Sequence, residues 1–493
     1  MTLRIGDLAR HTGVYGIGTI VGGIGRAALI PIVARYVPTE EYGKASVVFI
    51  FVTLLTIVAE LGLSSSLIKF YNEADSEEQR RRVVSTILAA SLMLALPIAA
   101  MCGFLASGLS AAMLGSPDHK LLILIGIAGG LGNAILQVGL AFERALARSQ
   151  RYVVYTLIKG GLALGLSIVL VAVLRKGALG LLIGAALPPL LLGMVTYGRL
   201  INRFAAGFSA ATLRSVFNFG SPLVPMNLAM WVLAYSDIYL LRRLLPASEA
   251  LSEVGLYQYA HEICLVLVLP ITSLNLAWPQ FLFANHHRPG APGSFARIYL
   301  YFAFFLTEMA FLLSMFSDKV IRYVGSLKYV ESSEVIPYLA GSLVFYGCSI
   351  LFSSGLYVTG KTKTLAIIVA LCAALNFVLN LLLIPPMGKE GAALATLITN
   401  GLMALAILRF SQPQYRIPFH VRRTAAGVGV LASLIAVLIA RYGSISATGL
   451  PLRIVTAAGL GFGLLAIFGI SPAELRAGWG TILSIFTTRP GRQ

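Results

Sequence analysis

Apolar residues recur in long uninterrupted blocks along the whole chain. The blocks fall at 12–36, 44–68, 83–104, 121–142, 152–174 and 178–197. A second set falls at 216–240, 255–281, 298–316, 335–357, 364–384 and 391–408, and two more at 424–440 and 452–470. A helix needs roughly 17–25 apolar residues to cross the hydrocarbon core of a bilayer. The pattern therefore predicts an all-α polytopic membrane protein with about fourteen transmembrane helices. The first block is too long for a cleavable signal peptide, carries Arg26 and is followed by no small-residue cleavage site. The polar stretches between blocks are short, which leaves no room for a soluble catalytic domain of ordinary size.

Composition supports the same class. Of the 493 residues, 57% are hydrophobic and only 12% charged, a balance with which a soluble chain could not cover its surface. Lys and Arg outnumber Asp and Glu by 38 to 20, a formal charge of +18. In a soluble protein this would raise nucleic acid as a partner. Here it reflects cations gathered in cytoplasmic loops beside anionic lipid, so no nucleic-acid partner is expected. Arg80, Arg81, Arg82, Arg144, Arg148, Arg151, Arg422 and Arg423 share one side if the N-terminus is cytoplasmic. The expected orientation is N-in and C-in. Cys102, Cys264, Cys348 and Cys372 lie in apolar blocks without metal spacing and read as packing residues.

The chain also repeats itself. RYVPTEEYG at 35–43 is echoed by RLLPASEALSEVG at 243–255, with Gly43 and Gly255 212 positions apart. SQRYVVYT at 149–156 meets GKTKTLAI at 360–367 at an offset of 211, and Gly177 and Gly180 meet Gly388 and Gly391 at the same offset. Two homologous lobes of six helices follow, at 1–210 and 211–411. Helices 13 and 14 occupy 412–470 and a cytoplasmic tail 471–493. An even number of spans per lobe gives both the same orientation, a parallel repeat with a cavity between the lobes.

Charges at bilayer depth cost about 2.5–3.5 kcal/mol each on insertion scales and draw attention for that reason. Arg26 stands near the middle of the first block, with Gly18 and Gly22 on its face at i−8 and i−4. A glycine-lined face ending in a guanidinium suits an anionic group; the same pattern also makes a helix-packing face whose Arg pairs with an acid. Glu60, Asp237, Glu262 and Glu308 are the candidate cavity or ion-coupling acids. Such groups carry a proton, ligate Na⁺ or neutralise Arg26, and Glu308 is the acid nearest Arg26 in expected depth. Asn376 with Asn380, and Asn133 with Gln137, are four apart and share a helix face, either lining a wet cavity or bonding neighbouring helices. His261 and Glu143 read as an interfacial histidine and a solvated helix cap. No cofactor, metal site or catalytic residue is expected. Gly355–Thr362 reads GLYVTGKT and matches the P-loop pattern, but a P-loop needs a strand before it, and an apolar helix stands there instead.

Several stretches resemble the Wzx-type polysaccharide and O-antigen flippases of the multidrug/oligosaccharidyl-lipid/polysaccharide exporter superfamily. They are GGIGRAALIPIVARYVPTEEYG, AELGLSSSLIKFY, LRSVFNFGSPLVPMNLAMWVLAYSDIYLLRRLL, VGLYQYAHEI and, most specifically, LNFVLNLLLIPPMGKEGAALATLI. The resemblance covers roughly residues 7–419. It implies a bacterial inner-membrane protein, not an enzyme, that flips undecaprenyl-pyrophosphate-linked oligosaccharide by alternating access. Arg26 matches the cationic residue such flippases place in the central cavity. Asp237 stands where the seventh helix of the family often carries an acid, and Glu60 where an aspartate is more usual. Coupling to H⁺ or Na⁺ and partnership with membrane lipids, polysaccharide polymerase and export proteins are further expectations. Three alternatives stay open: a lipid II flippase, a drug or cation antiporter of the same superfamily, and a membrane-embedded glycan polymerase or ligase. The sugar and the coupling ion are not legible.

Overall fold

The computed structural model describes residues 28–146, 148–204, 207–324, 327–427, 429 and 450–469. Every regular element among the described residues is a helix, and they contain no strand. A short α1 (28–36) stops before Pro38, where the residue preceding proline is disfavoured in the helical region. Pro38 then opens α2 (Thr39–Glu60), with Glu40 and Glu41 in the first turn, where the helix dipole favours anions. Left-handed Leu61 and Gly62 interrupt the span before α3 (Leu63–Glu73). Ser76 caps α4 (Glu77–Phe104), and a short α5 (Ala106–Leu114) ends at left-handed Gly115. Three long helices complete the N-terminal half: α6 (Lys120–Ala145), α7 (Ser149–Ile168, extended by a π turn over Val169–Val173) and α8 (Gly177–Phe204).

The C-terminal half begins with α9 (Ala210–Gly220) and α10 (Leu223–Leu244), separated at Pro222. A bend of 52° separates α11 (Ala250–Ile263) from α12 (Leu265–Asn285). After α13 (Ala291–Val324) and a 3₁₀ segment (Leu327–Glu334) come α14 (Ile336–Phe352) and α15 (Ser354–Val358). The 50-residue α16 (Thr362–Ser411) is two spans joined at Gly388, whose φ of 59° and ψ of −134° only glycine adopts readily. The last described helices are α17 (421–427) and α18 (Leu450–Phe468).

Nine of the described helices are long and apolar enough to cross a membrane, ten with the bent α11–α12 pair. Counting α16 as two, they coincide with predicted spans two to twelve, and α18 coincides with the fourteenth. The spans expected at 12–36 and 424–440 lie largely outside the described residues. GLYVTGKT falls on α15, a turn and the start of α16. The cysteines are free and, apart from half-buried Cys102, buried.

Packing follows the repeat. In the N-terminal half α6 lies along α2 and α8; in the C-terminal half α16 lies along α10 and α14. Between the halves, α2 crosses α11. A Cβ on Gly43 would overlap the Leu251 carbonyl, 2.7 Å from its carbon, and one on Gly255 would overlap the Thr39 carbonyl, 2.9 Å from its carbon. Residues 39 and 251, like 43 and 255, are 212 apart. Each half thus presses its glycine on the other half's equivalent carbonyl, as a two-fold axis through the crossing requires. Within the halves, Glu41 accepts the Ala178 amide at 3.1 Å beside left-handed Gly177, while Glu253 accepts from Lys389 Nζ at 3.3 Å beside left-handed Gly388. These pairs repeat the 211–212 offset.

Candidate functional site

The best-built polar site lies in the C-terminal half, where α10, α11 and both limbs of α16 converge. Asp237 is 2% exposed. Its Oδ1 accepts the Ile238 amide at 2.8 Å, and its Oδ2 accepts the hydroxyl of fully buried Tyr257 at 2.5 Å. The Thr396 hydroxyl reaches the same phenol from the second limb of α16. One residue back on α10, Ser236 donates to Asn376 Oδ1 at 3.2 Å. That oxygen also accepts from Asn380 Nδ2 at 3.0 Å, and Asn376 Nδ2 reaches Thr399 Oγ1 at 3.4 Å. Asn376, on an apolar helix, is thus bonded by Asn380 one turn on and by Ser236 and Thr399 of neighbouring helical segments. Both asparagines are buried, at 1% and 0% exposure. Asn380 Oδ1 has no hydrogen-bond partner among the described residues. The His261 ring stands edge-on to Tyr257 with centroids 5.3 Å apart, and its buried Nε2 has no partner there either.

A carboxylate inside a membrane is tolerated when hydrogen bonds or a counter-charge replace its hydration. Asp237 has two donors and no cation in an ion pair among the described residues. One carboxylate offers a single negative charge, which suits a proton or a monovalent cation. No cluster of three His, Cys, Asp or Glu that could hold a metal occurs among the described residues.

The other candidates are dispersed. α2 and α6 run parallel: Gly126 packs on Val48, Gly130 on Leu55, and the Thr56 hydroxyl approaches the Gly130 carbonyl at 3.4 Å. Glu60, one turn beyond Thr56, therefore stands level with Asn133, one turn beyond Gly130, and Gln137 lies one turn further on. All three are half-buried, and Glu60 makes no ion pair among the described residues. Glu262 accepts from Gln258 at 3.2 Å and stands within electrostatic reach of Tyr42 across the α2–α11 crossing. Glu308, on α13, has a buried Oε2 with no hydrogen-bond partner among the described residues. Arg26 and Gly22 lie outside the described residues.

Glu143 differs from the expected solvated cap. It is 8% exposed, with one oxygen buried and without a partner among the described residues. In the last turn of α6, neighbouring Phe142 packs on Tyr71 of α3 and Phe204 of α8, which covers this side of the helix end while Arg144 stays exposed. Sequence reasoning also missed the Asp318–Arg453 pair. Arg453, fully buried on α18, forks onto Asp318 of α13 through Nη1 and Nη2, the latter at 3.3 Å, and also donates to the Met315 carbonyl at 3.0 Å. Lys389, 7% exposed, sits among Glu253, Glu334 and Glu390 at the bend of α16.

Known structures share this architecture. The lipid II flippase MurJ, in an inward closed conformation, superposes with a TM-score of 0.73 at 15% identity, over 92% of this chain and 97% of that one. A multidrug resistance MATE family transporter of the MOP superfamily, inward-facing, superposes with a TM-score of 0.62 at 15% identity, over 86% and 96%. A MOP superfamily transporter from Pyrococcus furiosus gives 0.59 at 15% identity, over 83% and 95%. No curated protein sequence matches the chain. The profile of the polysaccharide biosynthesis protein family matches residues 8–279, more than half of the chain. With the fold of the MOP superfamily transporters and that profile running from the first predicted span into α12, the chain belongs to the polysaccharide biosynthesis protein family.

Proposed function

We propose that the protein is a flippase that carries undecaprenyl-pyrophosphate-linked oligosaccharide across the bacterial inner membrane. The two halves act as lobes that rock against each other, closed at the α2–α11 crossing in one state and parted there in the other, so that the space between them opens first to the cytoplasm and then to the exterior. The observation that carries the reading is that crossing, a pseudo-symmetric closure at one end of a two-part helical bundle in a chain of this family. Physical chemistry states what the cavity must do. A pyrophosphate entering hydrocarbon unaided meets a Born penalty of tens of kcal/mol. A wet cationic passage lowers it, while the prenyl tail stays in lipid. Arg26 is the residue assigned to the pyrophosphate, because a guanidinium makes two charge-assisted bonds to phosphate oxygens. Asp237 is the assigned coupling acid, binding H⁺ or Na⁺ in one of the two states. With the N-terminus inside, the crossing closes the external face.

Deletion of the gene tests the reading in cells. Lipid-linked glycan should accumulate in the cytoplasmic leaflet, protected from an impermeant oxidant in intact cells, and re-expression should restore its exposure. Equal exposure with and without the protein would overturn the proposal.

A further inference from the structure

On the face of the N-terminal half opposite the α2–α11 crossing, a groove of about 260 Å³ opens between α4 and α8. Ser85, Leu88 and Ala89 of α4, Tyr197, Ile201 and Phe204 of α8, and Phe208 beyond it line the groove. The Tyr197 hydroxyl is turned onto the Leu88 carbonyl at 3.3 Å and the Ser85 hydroxyl is engaged by backbone carbonyls, which leaves the groove mainly apolar. Ile201 and Phe208 remain 44% and 51% exposed. The groove sits at the arginine-rich end of both helices, the end that the positive-inside rule assigns to the cytoplasmic leaflet.

Its polar rim is cationic. Arg80 and Arg82 pair with Glu77 and Glu78 at 2.9 and 2.6 Å. Arg81, between them, is exposed and in no ion pair among the described residues. It precedes Ser85 by four positions and Leu88 by seven, so it lies on the groove face of α4, one to two turns nearer the polar end. Across the groove the chain from Phe208 turns into α9, held by Ser85 Oγ donating to the Gly207 carbonyl at 3.4 Å and the Ser209 amide donating to Thr86 Oγ1 at 3.2 Å. The positive end of the α9 dipole thus stands at the same rim.

We infer that this groove is a binding site for an anionic phospholipid of the cytoplasmic leaflet, with one acyl chain between α4 and α8 and the headgroup phosphate on Arg81. An apolar slot ending at an uncompensated cation matches an amphiphile with an anionic head, whereas a zwitterionic lipid would gain less there. Bound in this way, the lipid would brace residues 207–209, which lead into α9, against the N-terminal half. The inference does not depend on which substrate the protein moves.

The test uses the full-length protein, delipidated in a neutral detergent and titrated with phosphatidylglycerol or phosphatidylcholine of identical chains. Native mass spectrometry would report the last lipid retained, and thermal unfolding the stabilisation. Phosphatidylglycerol should be retained preferentially. Arg81→Gln, on an exposed position, should cut that preference about fivefold, the effect of one basic residue at an anionic surface. Arg82→Gln, whose guanidinium is already paired, should cut it less. Ile201→Trp should fill the slot and lower retention of both lipids. An unchanged preference in Arg81→Gln would overturn the inference, as would undecaprenyl phosphate displacing phosphatidylglycerol from the wild-type protein at equal concentration.

Discussion

Gly43→Ala should open the α2–α11 crossing without harming either half. The added methyl points at the Leu251 carbonyl, 2.7 Å from its carbon and 3.2 Å from its Cα. Carbon atoms pack at about 3.5–4.0 Å, so the helices must part by about 1 Å at the point where they touch most closely. Overpacking of this kind costs about 1–3 kcal/mol, and every 1.4 kcal/mol is tenfold in an equilibrium constant. Only the closed arrangement suffers the clash, so the closed population should fall by about five- to a hundredfold relative to the open one. Thr39 Oγ1 and Ser252 Oγ lie 2.7 Å apart across the crossing and supply the assay. In a background lacking Cys102, Cys264, Cys348 and Cys372, Thr39→Cys/Ser252→Cys should cross-link readily under mild oxidation. Adding Gly43→Ala should slow the reaction about tenfold, and adding Gly255→Ala, its repeat equivalent, should slow it further. Cross-linking at the parental rate in Gly43→Ala would refute the reasoning, because the close approach of α2 and α11 would then not be what closes this end.

Other outcomes follow from the buried charges. Asp237→Asn should abolish any dependence of transport on pH or Na⁺, measured as initial rates across ion gradients. Tyr257→Phe, which removes a bond to a charged group worth about 1.5–3 kcal/mol, should change that dependence while leaving protein abundance near normal. Asp318→Asn or Arg453→Met alone should lower thermal stability by about 3–5 kcal/mol by stranding a buried charge, and the double apolar variant Asp318→Leu/Arg453→Met should recover most of it; equal losses in the single and double variants would contradict the pairing. Arg26→Ala should abolish or strongly reduce glycan export at normal membrane abundance, and Arg26→Lys should keep part of it; rescue only by Arg26→Ala/Glu308→Gln would make Arg26 a structural partner instead. Impermeant thiol labelling should place single cysteines at Arg80, Arg148 and Arg422 inside and one at Lys120 outside, whereas Lys389, buried among three acids, is a poor reporter of sidedness.

Apolar run length made spans two to twelve legible because a bilayer-crossing helix has one physical requirement and states it in consecutive residues. The repeat was legible through glycines and prolines, whose backbone roles at Gly43, Gly255, Gly177 and Gly388 resist replacement. Asp237, Asn376 and Asn380 stood out because polar side chains are costly on apolar helices. Tyr257, Ser236 and Thr399 did not, since phenols and hydroxyls are ordinary there, and only the fold shows that they meet Asp237 and Asn376. Arg453 escaped notice because it lies four residues into α18, where an arginine at a helix end reads as a loop cation. Asp318 stands 135 residues away, so no local pattern joins the two. Glu143 was misread for a related reason: neighbouring Arg144 suggested a solvated turn, while α3 and α8 cover it. The breaks at Leu61–Gly62 and Pro222 divide single apolar blocks, and hydropathy alone does not register them.

The most direct measurement of the central claim is reconstituted translocation. Purified protein in liposomes would receive undecaprenyl-pyrophosphate-linked oligosaccharide bearing a fluorophore on the glycan, with an impermeant quencher outside. The account predicts protein-dependent exchange of the labelled lipid between leaflets, blocked when Thr39→Cys/Ser252→Cys is oxidised and restored by reductant, and slower exchange of lipid II or an organic cation. Exchange of lipid II or the cation in preference to the oligosaccharide lipid, or exchange unaffected by the cross-link, would contradict it.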